Sequence, residues 1–414
     1  MRIGRVQVAS SATGASAAGA SESKNQTLPR LARRTGRVEP FRVMEFAKRA
    51  QRLEAEGRSI IHLSIGEPDF TAPAPVVAAL EAAVRSGKTQ YTQALGTPAL
   101  REAIAQHYRD RWRVAVEPER VVVCAGASAA LTLACCALVD PGDEVLLADP
   151  GYPCNRNFIA AHDGIARAIP VGAETRFQLT AELVAAHWGP ATRGVLAATP
   201  ANPTGTSIPF SELGQILASV RSRGGFSLID EIYLGLSYEA EARSVLELGD
   251  DMVVTNSFSK FFHMTGWRLG WLVVPPGWVS AFERLAQNLY ICPSALAQHA
   301  ALACFSPAAM AEFDARREAF RARRDWLVPA LRRLGFEIPV EPDGAFYIWV
   351  NCERFGLDAQ TLAEQLLEHA GVSLVPGADF TARDASKWLR VSYATSLAQL
   401  EEAVQRMERF FATL

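Results

Sequence analysis

The chain has 414 residues, 49% of them hydrophobic and 21% charged, which is enough apolar material for more than one packed unit and excludes a disordered protein. Its 42 Lys and Arg against 44 Asp and Glu leave a formal charge of −2, which gives no field to gather nucleic acid or an anionic membrane surface. Small molecules or identical subunits are the expected partners.

Residues 1–37 are rich in Ser, Ala and Gly without an apolar period, and are expected to form a disordered tail. Through residue 30 the tail holds Arg and Ser with a single acid, Glu22, a composition that also resembles an organelle transit peptide. Over 39–56, Phe41, Met44, Phe46, Ala47, Ala50 and Leu53 recur at helical spacing until Gly57 stops the run. A turn-rich stretch, Gly66-Glu67-Pro68-Asp69-Phe70, follows and suits a loop at a site. Helices are predicted over 76–86 and 98–112, with Pro98 in a first turn.

The pattern then changes. A buried strand at 121–123, a helix to 138 and a strand at 144–148 form a parallel crossover unit, and strands at 194–198, 226–229 and 252–256 continue it, with a helix at 211–223. Continuous apolar runs between helices mean strands buried on both faces, so the middle of the chain is an open, mainly parallel α/β sheet. Residues 269–274 read as an edge strand. After Pro276 helices dominate, with a long one over 306–333 and strands at 345–350 and 388–392, which together predict a smaller α+β domain. The longest apolar stretch, 129–139, falls well short of the roughly 18–20 residues that cross a bilayer. Seven scattered cysteines without a C-x-x-C pair, and seven histidines without an H-x-x-x-H pattern, argue for a reducing cytoplasm and against a metal. The run Arg316, Arg317, Arg321, Arg323, Arg324 reads as a solvated helix face.

In a doubly wound sheet, ligands gather outside the carboxyl ends of the strands. Five apolar runs here are followed by polar residues: Gly126-Ala127-Ser128, Asp149-Pro150-Gly151-Tyr152, Asn202-Pro203-Thr204-Gly205, Asp230-Glu231-Ile232-Tyr233 and Ser257-Phe258-Ser259-Lys260. The first offers helix-start amides and a hydroxyl for an anion, although a small-residue helix start is equally a packing device. Lys260 follows a buried strand and precedes Arg268; burial and a nearby cation both lower an amine's pKa and favour the neutral nucleophile that condenses with carbonyls.

Together with Tyr91, Gly96, Leu100-Arg101, Thr265-Gly266-Trp267-Arg268 and Leu389-Arg390-Val391-Ser392-Tyr393, these motifs resemble the class I and II aminotransferases, fold type I pyridoxal-phosphate enzymes, over residues 38–410. The resemblance implies a mainly parallel seven-stranded-type sheet flanked by helices, with 71–295 as the large cofactor-binding domain, 296–414 as the small domain and 38–70 joining the latter. It implies pyridoxal 5'-phosphate as cofactor, with Lys260 carrying it and moving the substrate proton, and Asp230 pairing with the ring nitrogen. Asn202 and Tyr233 would bind the phenolic oxygen, Tyr152 would stack on the ring, and Ala127, Ser128, Ser257, Ser259 and Arg268 would hold the phosphate. Arg390 would grip the substrate α-carboxylate with help from Gly66 and Asn202, and Tyr91 would reach the phosphate of a neighbouring subunit, which implies a homodimer with shared sites.

The implied reaction is ping-pong transfer of an amino group from an L-amino acid to a 2-oxo acid. Some aspartate-using relatives carry a lysine at the position of Ser128, so its absence, with Tyr152, Tyr290, Ile291 and Phe41 nearby, favours an apolar or small neutral donor. The rivals are a C–S β-lyase on the same cofactor and an aspartate-type aminotransferase. About 38 residues precede the first helix, too few for the DNA-binding module of a transcription regulator.

Overall fold

A computed structural model describes residues 30–40, 43–238 and 242–413, so Phe41 and most of the expected tail lie outside the described residues. Helix α1 (Val43–Ala55) buries Phe46, Ala50 and Leu53 at spacings of four and three, then strand β1 (Ile61–His62) leads towards helices α2 (Ala74–Arg85) and α3 (Pro98–Trp112). The alternating section follows as β2 (Val121–Cys124), α4 (Ala127–Leu138), β3 (Glu144–Asp149), α5 (Pro153–Ala161), β4 (Ile165–Pro170), α6 (Ala181–His187), β5 (Thr192–Ala198), α7 (Phe210–Arg221), β6 (Phe226–Asp230), β7 (Val253–Ser257) and β8 (Gly270–Val273).

These strands form one seven-stranded sheet in the order β2-β8-β7-β6-β5-β3-β4. Both faces are covered. Val121, Val123, Val195, Ile229 and Val254 enter one apolar cluster, whereas Val122, Leu196, Leu228 and Val253 enter the other with Leu131 of α4. The period-two alternation thus fills two layers with apolar residues, each contributing about 1.5–3 kcal/mol when fully buried.

Residues 269–274 depart from expectation. β8 is an interior strand, antiparallel to both β2 and β7; the two edges are β2 and β4, and the sequence of β4, IARAIP, carries too little apolar pattern to signal a strand. Because β8 runs against its neighbours, it begins where they end. That reversal brings Arg268, just before β8, to the rim where the parallel strands deliver their polar loops.

Beyond the sheet come α8 (Val279–Leu289), α9 (Ala295–Ala301), α10 (Pro307–Leu334), β9 (Tyr347–Asn351), α11 (Ala359–Gln365), β10 (Val372–Ser373), β11 (Val375–Pro376), β12 (Trp388–Ser392) and α12 (Leu397–Phe411). β11, β12 and β9 make a separate antiparallel sheet, and β1 pairs in parallel with β10, so the N-terminal segment is hydrogen-bonded to the C-terminal part. Part of the stretch read as tail has structure: Arg33–Gly36 form a 3₁₀ turn, and Arg34 and Arg37 pair with Asp163. The arginines of α10 also depart from a solvated face, because Arg323 and Arg324 are buried and Arg323 forks onto both carboxylate oxygens of Asp69 at 2.7 and 3.0 Å. Among the described residues no helix is long and apolar enough to cross a membrane.

Candidate active site

The strand ends open into a cavity of about 590 Å³ between the large sheet, the 64–67 loop and the small sheet. Lys260 stands in it three residues past β7. Its Nζ donates to the Gly66 carbonyl at 2.5 Å and lies 5.8 Å from the Tyr233 ring centre and 5.7 Å from that of Phe346. Burial pulls its pKa down to about 8; the charges of Arg390 and Arg268 act the same way, against Glu67 and Asp230. A lysine so placed has an accessible neutral form near physiological pH, as an imine-forming amine requires.

At one end of the cavity the first turn of α4 presents the amides of Ala127 and Ser128 with no side-chain cap, so their partial positive charge faces outward. Arg268 reaches the same point, anchored by an Nη1 bond of 2.7 Å to the Thr265 carbonyl, and no carboxylate pairs with it among the described residues. The approach demands glycine. Gly126 has φ +84°, and a Cβ there would meet Arg268 Nη2 at 2.5 Å; a Cβ on Gly270 would meet the Ala127 amide nitrogen at 3.0 Å. Ser259 also lines the space. Amides, a hydroxyl and a guanidinium gathered around a cradle that a methyl would fill suit a small phosphate.

Asp230 closes β6 and is 5% exposed, its Oδ1 accepting from the Ile232 amide at 3.0 Å. Burial raises its pKa to about 7, opposed by that hydrogen bond and by Lys260, and among the described residues no cation forms an ion pair with it. A buried carboxylate that faces a cavity with no ion-pair partner among the described residues fits a ligand that brings its own positive ring nitrogen. The next residue behaves differently: Glu231 points away and takes bonds from Ser244 Oγ at 2.8 Å and the Val245 amide at 2.6 Å. Tyr152, at the start of α5, lines the same space as Asp230.

Arg390 comes from the small sheet and is 2% exposed, although an arginine in isolation reads as half of a surface ion pair. Its Nη1 donates to Asn202 Oδ1 at 3.0 Å and its Nη2 to the Ser64 carbonyl at 2.8 Å, while Nε has no hydrogen-bond partner among the described residues. Its guanidinium carbon lies 4.4 Å from the Tyr347 ring centre and 4.8 Å from that of Phe380. All its partners are neutral, so a fixed positive charge remains in the cavity wall for a carboxylate. With its oxygen engaged, Asn202 keeps its amide hydrogens for the cavity.

The cavity thus unites Gly66, Ala127, Ser128, Tyr152, Asn202, Asp230, Tyr233, Ser259, Lys260, Arg268 and Arg390. Ser257 is not in its wall: it sits behind, with its Oγ 2.9 Å from Ser259 Oγ and bonded to the Leu269 carbonyl, and so acts on the cradle only through Ser259. Tyr91 is 81% exposed and also outside the wall. Tyr290 and Ile291, expected near the substrate, are elsewhere; the Tyr290 hydroxyl lies 3.7 Å from Cys124 Sγ, and the apolar wall is made by Ala47, Ile65, Leu131 and Ile232. Tyr347 escaped the sequence reading altogether, because only the pairing of β9 with β12 brings it beside Arg390. His62 bonds locally to Glu54 at 2.8 Å and also lines the cavity mouth.

Comparison with known proteins identifies the family of the chain. The family described as aminotransferase class I and II matches residues 58–407. A valine–pyruvate aminotransferase of Mycobacterium tuberculosis is 40% identical over 380 residues, spanning 91% of this chain and 97% of that protein. An arginine–pyruvate transaminase of Pseudomonas aeruginosa is 35% identical over 356 residues, 85% of this chain and 90% of that one. The crystal structure of an aminotransferase from Mycobacterium tuberculosis superposes with a TM-score of 0.90 at 39% identity, covering 94% of this chain and all of the other.

Proposed function

Given that the chain belongs to the class I and II aminotransferases, transferases of amino groups that work with pyridoxal 5'-phosphate and a 2-oxo acid acceptor, we propose that its donor is a small or apolar neutral L-amino acid and its acceptor pyruvate or a similar short 2-oxo acid. The observation that carries this reading is the pairing, in one cavity, of an amine of lowered pKa, Lys260, with a buried guanidinium, Arg390, that has only neutral partners. One seats the chemistry and the other seats an α-carboxylate. Lys260, Arg268 and Arg390 are the lysines and arginines of the wall among the described residues, and Arg268 belongs to the phosphate cradle. Among the described residues of this chain a second carboxylate therefore finds no lysine or arginine of its own, whereas Ala47, Ile65 and Leu131 offer apolar contact. The pyruvate-using relatives favour the same acceptor class.

When bound, the cofactor supplies the carbonyl that captures the amino group and a ring that draws electrons from Cα. The chain's residues do the rest. Ala127, Ser128, Ser259 and Arg268 would hold the phosphate, with Ser257 fixing Ser259. Asp230 would keep the ring nitrogen protonated, Tyr152 would lie against the ring, and Asn202 and Tyr233 would donate to the phenolic oxygen. Arg390, with Gly66 and the Asn202 amide, would hold the α-carboxylate so that Cα–H points at Lys260, whose Nζ would take the proton from Cα and deliver it to the carbon that was the cofactor's carbonyl, beyond the transferred nitrogen. Tyr91, exposed and outside the cavity wall, is assigned to the phosphate of a second copy in a homodimer, and the seven free cysteines suit the cytoplasm.

The test is a scan of purified protein with pyridoxal phosphate against L-amino acids, with pyruvate or 2-oxoglutarate as acceptor, following the cofactor's absorbance and the products. Alanine, valine or another small neutral donor should react fastest and yield its oxo acid. Fastest turnover of aspartate or glutamate would overturn the donor class, and pyruvate, thiol and ammonia from a cysteine conjugate without acceptor would move the reaction to the β-lyase alternative.

A further inference from the structure

Tyr347 is fully buried yet contributes to the cavity wall. In the β9–β12 ladder Arg390 faces Trp349 and Ser392 faces Tyr347, so Tyr347 and Arg390 are diagonal neighbours on one face of the small sheet, which explains why the guanidinium lies 4.4 Å from the Tyr347 ring centre. The hydroxyl end points the other way. It lies 3.0 Å from the Tyr233 hydroxyl, and a Cβ on Gly66 would meet it at 3.2 Å. One side chain therefore touches the carboxylate seat with its ring and the phenol-binding tyrosine with its hydroxyl.

Two neutral hydroxyls at this distance share one hydrogen bond, and its direction decides which of them has a hydrogen left for the cavity. Burial raises the pKa of both, so both stay protonated at ordinary pH. Resting on the roles proposed above, we infer that Tyr347 is a positioning residue that donates its hydroxyl hydrogen to Tyr233 Oη, aiming the Tyr233 hydrogen at the cofactor's phenolic oxygen. The ring contact with Arg390 fixes the donor's own orientation, so the carboxylate seat and the phenol clamp share one rigid support. A chain of two hydroxyls also polarises the second, strengthening its donation.

The isosteric variant Tyr347→Phe keeps the ring under Arg390 and removes only the hydroxyl. In the holoenzyme, Tyr347→Phe should raise the midpoint of the bound cofactor's absorbance titration by about half a pH unit to one unit, the size of one ordinary hydrogen bond. It should lower kcat more than it raises KM. Tyr233→Phe should raise the midpoint at least as much, and Tyr347→Phe should add nothing in that background. An unmoved midpoint in Tyr347→Phe, with or without a change in KM, overturns the inference, as does an equal shift in both backgrounds. If Tyr233→Phe itself leaves the midpoint in place, or the wild-type protein takes up no cofactor, the failure lies with the preceding reading and the inference falls with it.

Discussion

The two walls of the cavity hold their charges in different ways. On the large-sheet wall the ionisable groups are poised to change state: Lys260 is brought down to about 8 and Asp230 up to about 7, both mainly by burial. On the small-sheet wall Arg390 is buried, and its guanidinium is held in place by the Asn202 side chain and the Ser64 carbonyl. One wall is suited to moving protons and the other to holding a carboxylate still. The strands explain the division: loops after parallel strands leave side chains at a rim where a cofactor can reach them, whereas a residue within an antiparallel ladder is fixed by its neighbours on both sides.

Removing the amine tests the first wall and carries the largest effect. Lys260→Ala should lower kcat by at least about a thousandfold, the upper range for a positioned proton carrier, and should abolish attachment of cofactor to the chain after borohydride reduction, read by mass spectrometry. Retained attachment, or turnover within tenfold of wild type, would remove Lys260 from the chemistry. Arg390→Ala tests the second wall. It should raise KM for both the amino acid and the oxo acid by about a hundredfold, the worth of a charge-assisted, two-point contact, with a smaller change in kcat. A collapse of kcat at unchanged KM would erase the difference between the walls.

The large-sheet wall was legible in the chain because its residues follow apolar runs within one to four positions: Asp230 ends β6, and Ser259 and Lys260 follow β7 directly. The small-sheet wall was legible only where a motif resembled a known one, as at Arg390. Tyr347 carries no such signal, since its neighbours are set by β9–β12 register, which a single sequence does not display. The apolar lining was misplaced for a related reason. Tyr290 and Ile291 come just after α8, where helical periodicity stops and no longer says which way a side chain turns; Tyr290 goes towards Cys124 and Ile291 to the surface. Arg323 was read as solvated because charge spacing along α10 carries no information about Asp69, more than 250 residues away, which neutralises it.

The smallest effect separates two adjacent carboxylates within the large-sheet wall. Asp230 is raised from 3.8 to about 7 and Glu231 from 4.5 to about 7, each chiefly by burial, but Glu231 is satisfied by Ser244 and Val245 while Asp230 has, among the described residues, only the Ile232 amide. For both, the folded chain binds a proton that the unfolded chain has already released between about pH 4 and 7. Their contribution is therefore fully present at low pH and lost as pH rises through the folded value, so cofactor-free protein should lose on the order of 2–4 kcal/mol per fully shifted group across that window. Urea denaturation at pH 5 and pH 7.5 should show this loss, and Asp230→Asn should remove part of it. Saturating cofactor should remove the same part in the wild type, because a positive ring nitrogen beside Asp230 favours the carboxylate, and should leave the Glu231 part in place. If cofactor flattens the slope equally in wild type and Asp230→Asn, Glu231 and not Asp230 is the group that feels the ligand, and the distinction between a carboxylate completed by the protein and one completed by its ligand is lost.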